Sequence, residues 1–295
     1  MKSKIIHGDC IDEMRKFPDE SIDLIITDPP YQITACEWDK SFDLDAFWVE
    51  VKRVIKNNTN IIIFSSQPFT TDVINSNRKW FKYEIIWDKM YGTDIFNAKK
   101  KPLKSHENIL VFNESSGFYN PQMEDSLPKN RRNRQINYKK AVEKSVYGKQ
   151  QEYIPNNNEM KRYPKTVFYY SNQADECHRS KRVHPTQKPK ELMKWLIKTY
   201  SQEEDMVLDC FAGSGSVMKA CLETNRQYIM IEKELSYFEL MKQSDKTSTS
   251  ATPTLAKPKE FNMGDKVSAT PTPKSPTATS HHPNIQRNLR GLLQA

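Results

Sequence analysis

The sequence predicts an α/β fold in which a parallel sheet carries helices on both faces. Three observations predict it. Apolar runs of strand length alternate with segments of helical apolar spacing. Residues 60–65 are apolar nearly throughout, as in a strand buried on both faces. Two further runs, Ile22–Thr27 and residues 206–208, end directly in short loops bearing carboxylates with prolines or glycines. In open α/β sheets, ligands bind at the carboxyl ends of strands.

Taken in order, residues 4–8 read as the first strand and residues 11–17 as a short helix. Ile22–Thr27 is the second strand, followed by a loop over residues 32–41. Residues 44–56 repeat apolar side chains at helical spacing: Leu44, Phe47, Trp48, Val51, Val54 and Ile55. After the strand at 60–65, residues 83–87 and 108–112 read as two more strands. Between them lies a polar loop, where residues 97–104 include four lysines, Lys99, Lys100 and Lys101 among them. Helical and strand patterns then fade until Lys190. A helix at Lys190–Tyr200, a strand at 206–210, a helix at 217–223, a strand at 227–231 and a helix at 235–242 complete the core. Residues 246–283 are mostly Thr, Ser, Pro, Ala and Lys. That composition cannot form a core and is expected to be disordered.

The loop after the second strand is Asp28-Pro29-Pro30-Tyr31. Proline fixes φ and has no N–H, so backbone carbonyls there are left to accept hydrogen bonds from a ligand. A carboxylate and a carbonyl beside a flat ring suit a planar base with an exocyclic amino group. Alone, the tetrapeptide would equally serve as a strand-ending turn. The second loop, Asp209-Cys210-Phe211-Ala212-Gly213-Ser214-Gly215-Ser216, alters that weighing. Strand, glycine turn and helix follow one another, and the glycines let backbone come close to a ligand. Met218 stands where a dinucleotide fingerprint needs its third glycine, and the phosphate-loop pattern is absent. The ligand is therefore expected to be nucleoside-like and not a pyrophosphate. Glu232, about 20 positions past the glycines at the end of the next strand, is placed for ribose hydroxyls.

Charge is unevenly spread. Residues 126–183 hold 14 Lys/Arg against 5 Asp/Glu, and residues 246–295 hold 7 against 2. The net charge of the whole chain is +8, so the remainder is acidic. A basic middle segment between the two motifs suits phosphate binding more than a merely solvated surface. Within it, Arg131, Arg132 and Arg134 belong to a type that reads base edges and holds phosphates. Mean hydropathy of −0.79 without a long apolar run argues against a membrane span. Five cysteines without paired spacing point to a reduced, intracellular protein. The Cys177-His178 pair has no second pair at zinc-finger spacing, so no metal is expected.

With these motifs the chain resembles the beta-class, circularly permuted DNA amino-methyltransferases of the N-4/N-6 DNA methylase family, which use S-adenosylmethionine. In that family D-P-P-Y is catalytic and D-x-F-x-G-x-G holds the cofactor. Both match here without substitution. His184-Pro185-Thr186-Gln187-Lys188-Pro189 matches a third family element, and Gly8-Asp9-Cys10 resembles a short acidic one. The catalytic motif precedes the cofactor motif, which is the permuted order. The resemblance spans residues 2–244. It implies a Rossmann-like methyltransferase fold with a mixed seven-stranded sheet, an antiparallel strand at its edge, and the two motif strands as neighbours. It further implies a catalytic half over 1–113, a target-recognition insert over 114–183, and a cofactor-binding half over 184–245. Residues 246–295 would form a tail outside the core.

The resemblance also implies roles. Asp28 and the Pro29 carbonyl would accept hydrogen bonds from the target amino group, Pro30 would stiffen the turn, and Tyr31 would stack on a flipped base. Phe211, Ala212, Gly213, Ser214, Gly215 and Ser216 would wrap the methionine part of S-adenosylmethionine, with Asp209 anchoring the loop or the amino group. Glu232 would take the ribose, Asp9 the adenine end, and Thr186 and Lys188 the carboxylate side, while Asp28 would serve both ligands. Lys99, Lys100, Lys101, Arg131, Arg132 and Arg134 would hold DNA. The implied reaction is N6-adenine methylation of double-stranded DNA inside the cell, with a homodimer and a cognate restriction enzyme as further expected partners. Methylation at N4 of cytosine stays open, although the family tends to place serine at position 28 for it. Two other readings stay open as well: methylation of RNA or protein, and a non-catalytic DNA-binding subunit.

Overall fold

The computed structural model describes residues 2–31, 42–125, 142–145, 148–150, 161–171 and 187–250. The chain begins with β1 (Lys4–His7), α1 (Cys10–Met14) and β2 (Ile22–Thr27). Next come α2 (Leu44–Val54), β3 (Ile55–Ser65), α3 (Phe69–Ser76), β4 (Phe81–Thr93) and β5 (Lys104–Phe112). Short strands follow: β6 (Glu124–Asp125), β7 (Val142–Ser145), β8 (Gly148–Gln150), β9 (Lys161–Arg162) and β10 (Val167–Tyr169). The last part is α4 (Lys190–Tyr200), β11 (Met206–Asp209), α5 (Ser216–Glu223), β12 (Gln227–Glu232) and α6 (Leu235–Ser250).

The main sheet has the order β1-β12-β11-β2-β3-β5-β4-β10. Every neighbouring pair is parallel except the two that involve β5. The α/β class and the mixed sheet are as expected, but there are eight strands and not seven. The eighth, β10, comes from within the segment assigned to the insert and pairs with β4, register Phe168↔Trp87. The reversed strand is also internal and not at the edge. Glu107 through Phe112 of β5 are all buried, which requires a partner on each side and a helix layer on each face. A 3-10 turn at Ile95–Asn97 lies in the arm that returns β4 to β5.

Side chains alternate between the two faces at the strand period. Leu24, Ile26, Ile62 and Phe64 pack with Leu196 of α4, Val217 and Met218 of α5 and Met241 of α6. Ile25, Ile61, Ile63, Leu110 and Phe112 pack with Met14 of α1, Val51 of α2 and Phe69 of α3. Helices therefore cover both faces. Asp9 caps α1 by accepting from Ile11 N–H at 3.0 Å, and Asp43 caps α2 by accepting from Ala46 N–H at 2.9 Å.

Several elements depart from the sequence reading, with β6 to β10 unexpected and β4 and β5 longer than expected. The helix α3 was not expected, because its apolar buried residues are only Phe69 and Val73, too few for a periodic signal. β3 begins at Ile55, ahead of the expected 60, because its first turn of pairing is polar and exposed. α6 runs to Ser250 where an end at 242 was expected, so residues 246–250 are helical and not disordered. The Tyr228 hydroxyl donates to Asp245 at 2.6 Å and ties these extra turns to β12. Residues 251–295 lie outside the described residues.

Because Ile62 is fully buried in the core layer that also holds α4, α5 and α6, Ile62→Ala is expected to lower stability by about 2–5 kcal/mol. Urea unfolding followed by circular dichroism should show a lower midpoint with an unchanged slope.

Candidate active site

β2 and β11 are adjacent and parallel, register Leu208↔Ile25, so their loops emerge side by side. A buried hydroxyl joins them. Thr27 Oγ1 donates to Asp209 Oδ1 at 3.1 Å and accepts from Cys210 N–H at 3.2 Å. Asp209 also accepts from Phe211 N–H at 3.0 Å, which folds the glycine loop over the strand end. Burial pushes the Asp209 carboxyl up to about 7. Asp209 thus shapes the loop from below.

The loop itself needs its glycines. Gly213 has φ +50° and Gly215 φ +78°, in the left-handed region. A Cβ on Gly215 would also meet Met241 Cγ at 2.9 Å. Gly215 precedes α5 with no side-chain cap, so the helix's first N–H groups have no side-chain acceptor among the described residues. Gly213 N–H donates to Glu232 Oε2 at 2.6 Å, and Glu234 N–H donates to Glu232 Oε1 at 2.8 Å. A carboxylate has about four lone-pair sites, so Glu232 retains acceptor capacity for a hydroxyl. Burial raises the Glu232 carboxyl and these backbone donors oppose the rise. Across from it, Lys233 Nζ lies 3.2 Å from Asp9 Oδ2.

A second cluster surrounds Asp28. Lys188 Nζ is 2.6 Å from Asp28 Oδ2 and 3.1 Å from Glu107 Oε2. Lys89 pairs with Glu107 from the other side. Two carboxylates and two ammoniums thus alternate along β2, the approach to α4, β5 and β4. The Tyr31 hydroxyl donates to Asp28 Oδ1, and the Tyr31 ring stacks on Phe69 at 5.7 Å between centroids. Lys188 Nζ also lies within 6.0 Å of the rings of Tyr31, Phe64 and Trp87. Burial raises the Asp28 carboxyl, and Lys188 restrains the rise. For Glu107 burial acts upward too, but Lys188 and Lys89 together outweigh it and bring it down to about 2. Lys188 is held above the usual lysine range, its burial outweighed by the two carboxylates. When a proton enters this cluster it goes to Asp28, which shares one ammonium, and not to Glu107, which has two.

One cleft of about 1290 Å³ gathers these groups. Asp9, Asp28, Pro29, Pro30, Tyr31, Lys188, Asp209, Phe211, Ala212, Gly213, Ser214, Ser216 and Glu232 line it, from both ends of the sequence. Gly215 sits behind the lining against Met241. Lys101 reaches the cleft rim and pairs with Asp94 at 2.6 Å, while Lys99 and Lys100 are exposed on the arm. Thr186, Arg131, Arg132, Arg134, the Cys177-His178 pair and residues 32–41 lie outside the described residues. Sequence reading missed Thr27, Lys89 and Glu107. Glu107 left one faint signal: a charge just ahead of the strand expected at 108–112. Burial pushes the thiol of Cys10 up to about 12 and those of Cys210 and Cys221 higher, so these cysteines stay protonated and non-nucleophilic.

A family model described as DNA methylase matches residues 22–243. The chain belongs to the DNA methylase family. "DNA adenine methyltransferase YhdJ" of Escherichia coli K12 is 30% identical over 88% of this chain and 89% of its own length. "Type II methyltransferase M.HpaI" of Haemophilus parainfluenzae is 26% identical over 82% of this chain and 74% of its own. Among solved structures, the M1.HpyAVI–SAM complex aligns with TM-score 0.55 at 24% identity, covering 82% of this chain and 98% of that one. The cytosine-N4-specific PvuII DNA methyltransferase aligns with TM-score 0.57 at 15% identity, over 87% and 89%. At such identities the structural likeness speaks for the fold. Among the described residues of this DNA methylase, no helix is long and apolar enough to cross a membrane.

The charge cluster sets a pH dependence. If methyl transfer needs Asp28 ionised, activity falls as pH falls through its folded value. Lys188 holds that value down, so Lys188→Met is expected to move the acid limb of kcat/KM to higher pH. Methylation assays across pH check it, and an unmoved limb would contradict the coupling. For the cofactor end, Glu232→Ala is expected to weaken S-adenosylmethionine binding by roughly ten-fold or more, measured by calorimetry.

Proposed function

We propose that this DNA methylase transfers a methyl group from S-adenosylmethionine to the N6 amino group of adenine in duplex DNA. The observation that carries the reading is the Thr27–Asp209 bridge, which sets Asp28-Pro29-Pro30-Tyr31 beside the glycine loop in one cleft. The residues present fit the cofactor. Gly213 and Gly215 keep the loop free of side chains, the uncapped start of α5 suits a carboxylate, and Glu232 suits ribose hydroxyls. Asp9 and Lys233 border the same end, at the adenine side. Bound there, S-adenosylmethionine supplies an activated methyl group.

The chain's own residues do the rest. An exocyclic amino nitrogen is a poor nucleophile because its lone pair is delocalised into the ring. Hydrogen bonds from that amino group to the Asp28 carboxylate and the Pro29 carbonyl draw the lone pair out and aim it. After transfer the nitrogen must shed a proton, and Asp28 is the acceptor within the cluster whose affinity for one is raised. Lys188 holds Asp28 in place, and Glu107 with Lys89 hold Lys188. Tyr31, backed by Phe69, offers its ring to a base turned out of the duplex. Lys99, Lys100, Lys101 and the arginines at 131, 132 and 134 hold the phosphates. Aspartate at position 28 and the adenine-methylating name of the YhdJ relative support adenine over cytosine. The type II name of M.HpaI supports a cognate restriction enzyme as a partner, and a homodimer belongs to the same proposal. Action on DNA puts the protein inside the cell.

Mass spectrometry of nucleosides from DNA of cells expressing the protein is expected to show N6-methyladenine, and N4-methylcytosine alone would overturn the choice of base. Modified-base sequencing of the same DNA gives the recognition site. Asp28→Ala is expected to lower methyl transfer on the order of 10²–10⁴-fold while S-adenosylmethionine still binds by calorimetry.

A further inference from the structure

The arm between β4 and β5 carries a side chain that the described residues leave uncovered. Phe96 is 97% exposed and the adjacent Ile95 is 66% exposed. Both sit on the 3-10 turn at the arm's tip. The tip is a built structure. Asn97 Nδ2 donates to Asp94 Oδ1 at 2.7 Å, and Lys101 Nζ lies 2.6 Å from Asp94 Oδ2. Backbone N–H groups of Asn97, Ala98, Lys100 and Lys101 all find carbonyls within the arm. At its base, Gly92 leaves room for Leu103, where a Cβ would come to 2.6 Å of the Leu103 Cβ. Polar groups are thus satisfied inward while two large apolar side chains point out.

What covers such a tip follows from its neighbours. One exposed apolar side chain would be ordinary, but Ile95 and Phe96 are adjacent, and Met90, Tyr91 and Leu103 of the same arm are exposed too, which is the kind of surface that marks an interaction site. Lys99 and Lys100 follow Phe96 by three and four positions and form no ion pair among the described residues. The arm's base, Thr93, Asp94 and Leu103, lines the same cleft as Asp28 and Tyr31. The partner therefore offers a stacked apolar interior within a polyanionic exterior, next to the reacting base. A second copy of the chain fits less well, because a two-fold contact through this tip would bring like-charged lysines together.

We infer that Phe96 is a wedge that enters the base stack beside the target and fills the place of the turned-out base. Lys99 and Lys100 hold the flanking phosphates. The inference rests on the reading of the protein as a DNA methyltransferase and adds the residue that opens the duplex. A rigid aromatic on an ordered arm recovers stacking that the flipped base gives up.

The test uses the full chain and a duplex carrying the site found by modified-base sequencing. In one duplex the target base is paired, and in the other it lies opposite an abasic position. Phe96→Ala is expected to lower methylation of the paired duplex roughly ten- to hundred-fold. The same variant is expected to act on the abasic duplex nearly as the wild type does, and Phe96→Trp to act on both. S-adenosylmethionine binding, measured by calorimetry, should be unchanged. Equal loss on both duplexes, no loss on either, or loss together with dissociation of a dimer on size exclusion would overturn the wedge. Lys99→Gln with Lys100→Gln is expected to flatten the salt dependence of DNA binding by about one to two in slope. An unchanged slope would remove the phosphate contacts from the proposal. If the wild type methylates no DNA, the functional reading itself fails, which is a separate outcome.

Discussion

The hydrogen bond from the Thr27 hydroxyl to Asp209 is the constraint on which the site depends. It joins residues 182 apart in sequence at the ends of two adjacent parallel strands. Its geometry needs β2 and β11 in register, and that register is set by the apolar layers on the two faces. A slip by one residue would turn Leu24, Ile25 and Ile26 to the wrong faces and carry Asp28 away from the glycine loop. Packing of ordinary aliphatic side chains therefore fixes the distance between the two motifs.

A second constraint is electrostatic. The Asp28–Lys188–Glu107–Lys89 chain is neutral as a whole, which lets four ionisable groups share a confined cleft. The asymmetry matters more than the sum. Glu107 has an ammonium on each side and keeps its charge, whereas Asp28 has one and is the group whose protonation can change. Tyr31 adds a hydroxyl donor to the other Asp28 oxygen, so the carboxylate is held from both sides. Such a chain needs β4 and β5 next to one another and the approach to α4 laid across them. The internal position of the reversed strand supplies that arrangement, since the start of β5 comes up at the same edge where β2 and β4 end.

Much of this was legible in the sequence. The strong strands, Ile22–Thr27 and the run ending in Asp209, were found because their apolar content is dense. Both motif loops were found because proline and glycine are needed there for backbone reasons. The helix at Lys190–Tyr200 agrees with the structure residue for residue. The weaker elements were lost where local signal is thin. α3 shows only two buried apolar side chains, β10 only three residues, and the last turns of α6 are built from Ser, Thr and Lys. Those are held by contacts from elsewhere, such as Tyr228 to Asp245 and Trp87 Nε1 to the Tyr170 carbonyl at 2.8 Å.

The sequence by itself determined the fold class, the order of the two motifs, and which residues carry carboxylate, glycine and aromatic chemistry. These depend on residue type and near neighbours, and that is information a chain carries locally. Only the tertiary structure decided that Lys188 answers to Asp28 and Glu107, that Glu107 and Lys89 line the same cleft, and that Phe96 stands uncovered among the described residues. Each of those depends on which strands become neighbours in space. Periodicity along one chain cannot report the electrostatic partner or the exposure that a distant segment confers.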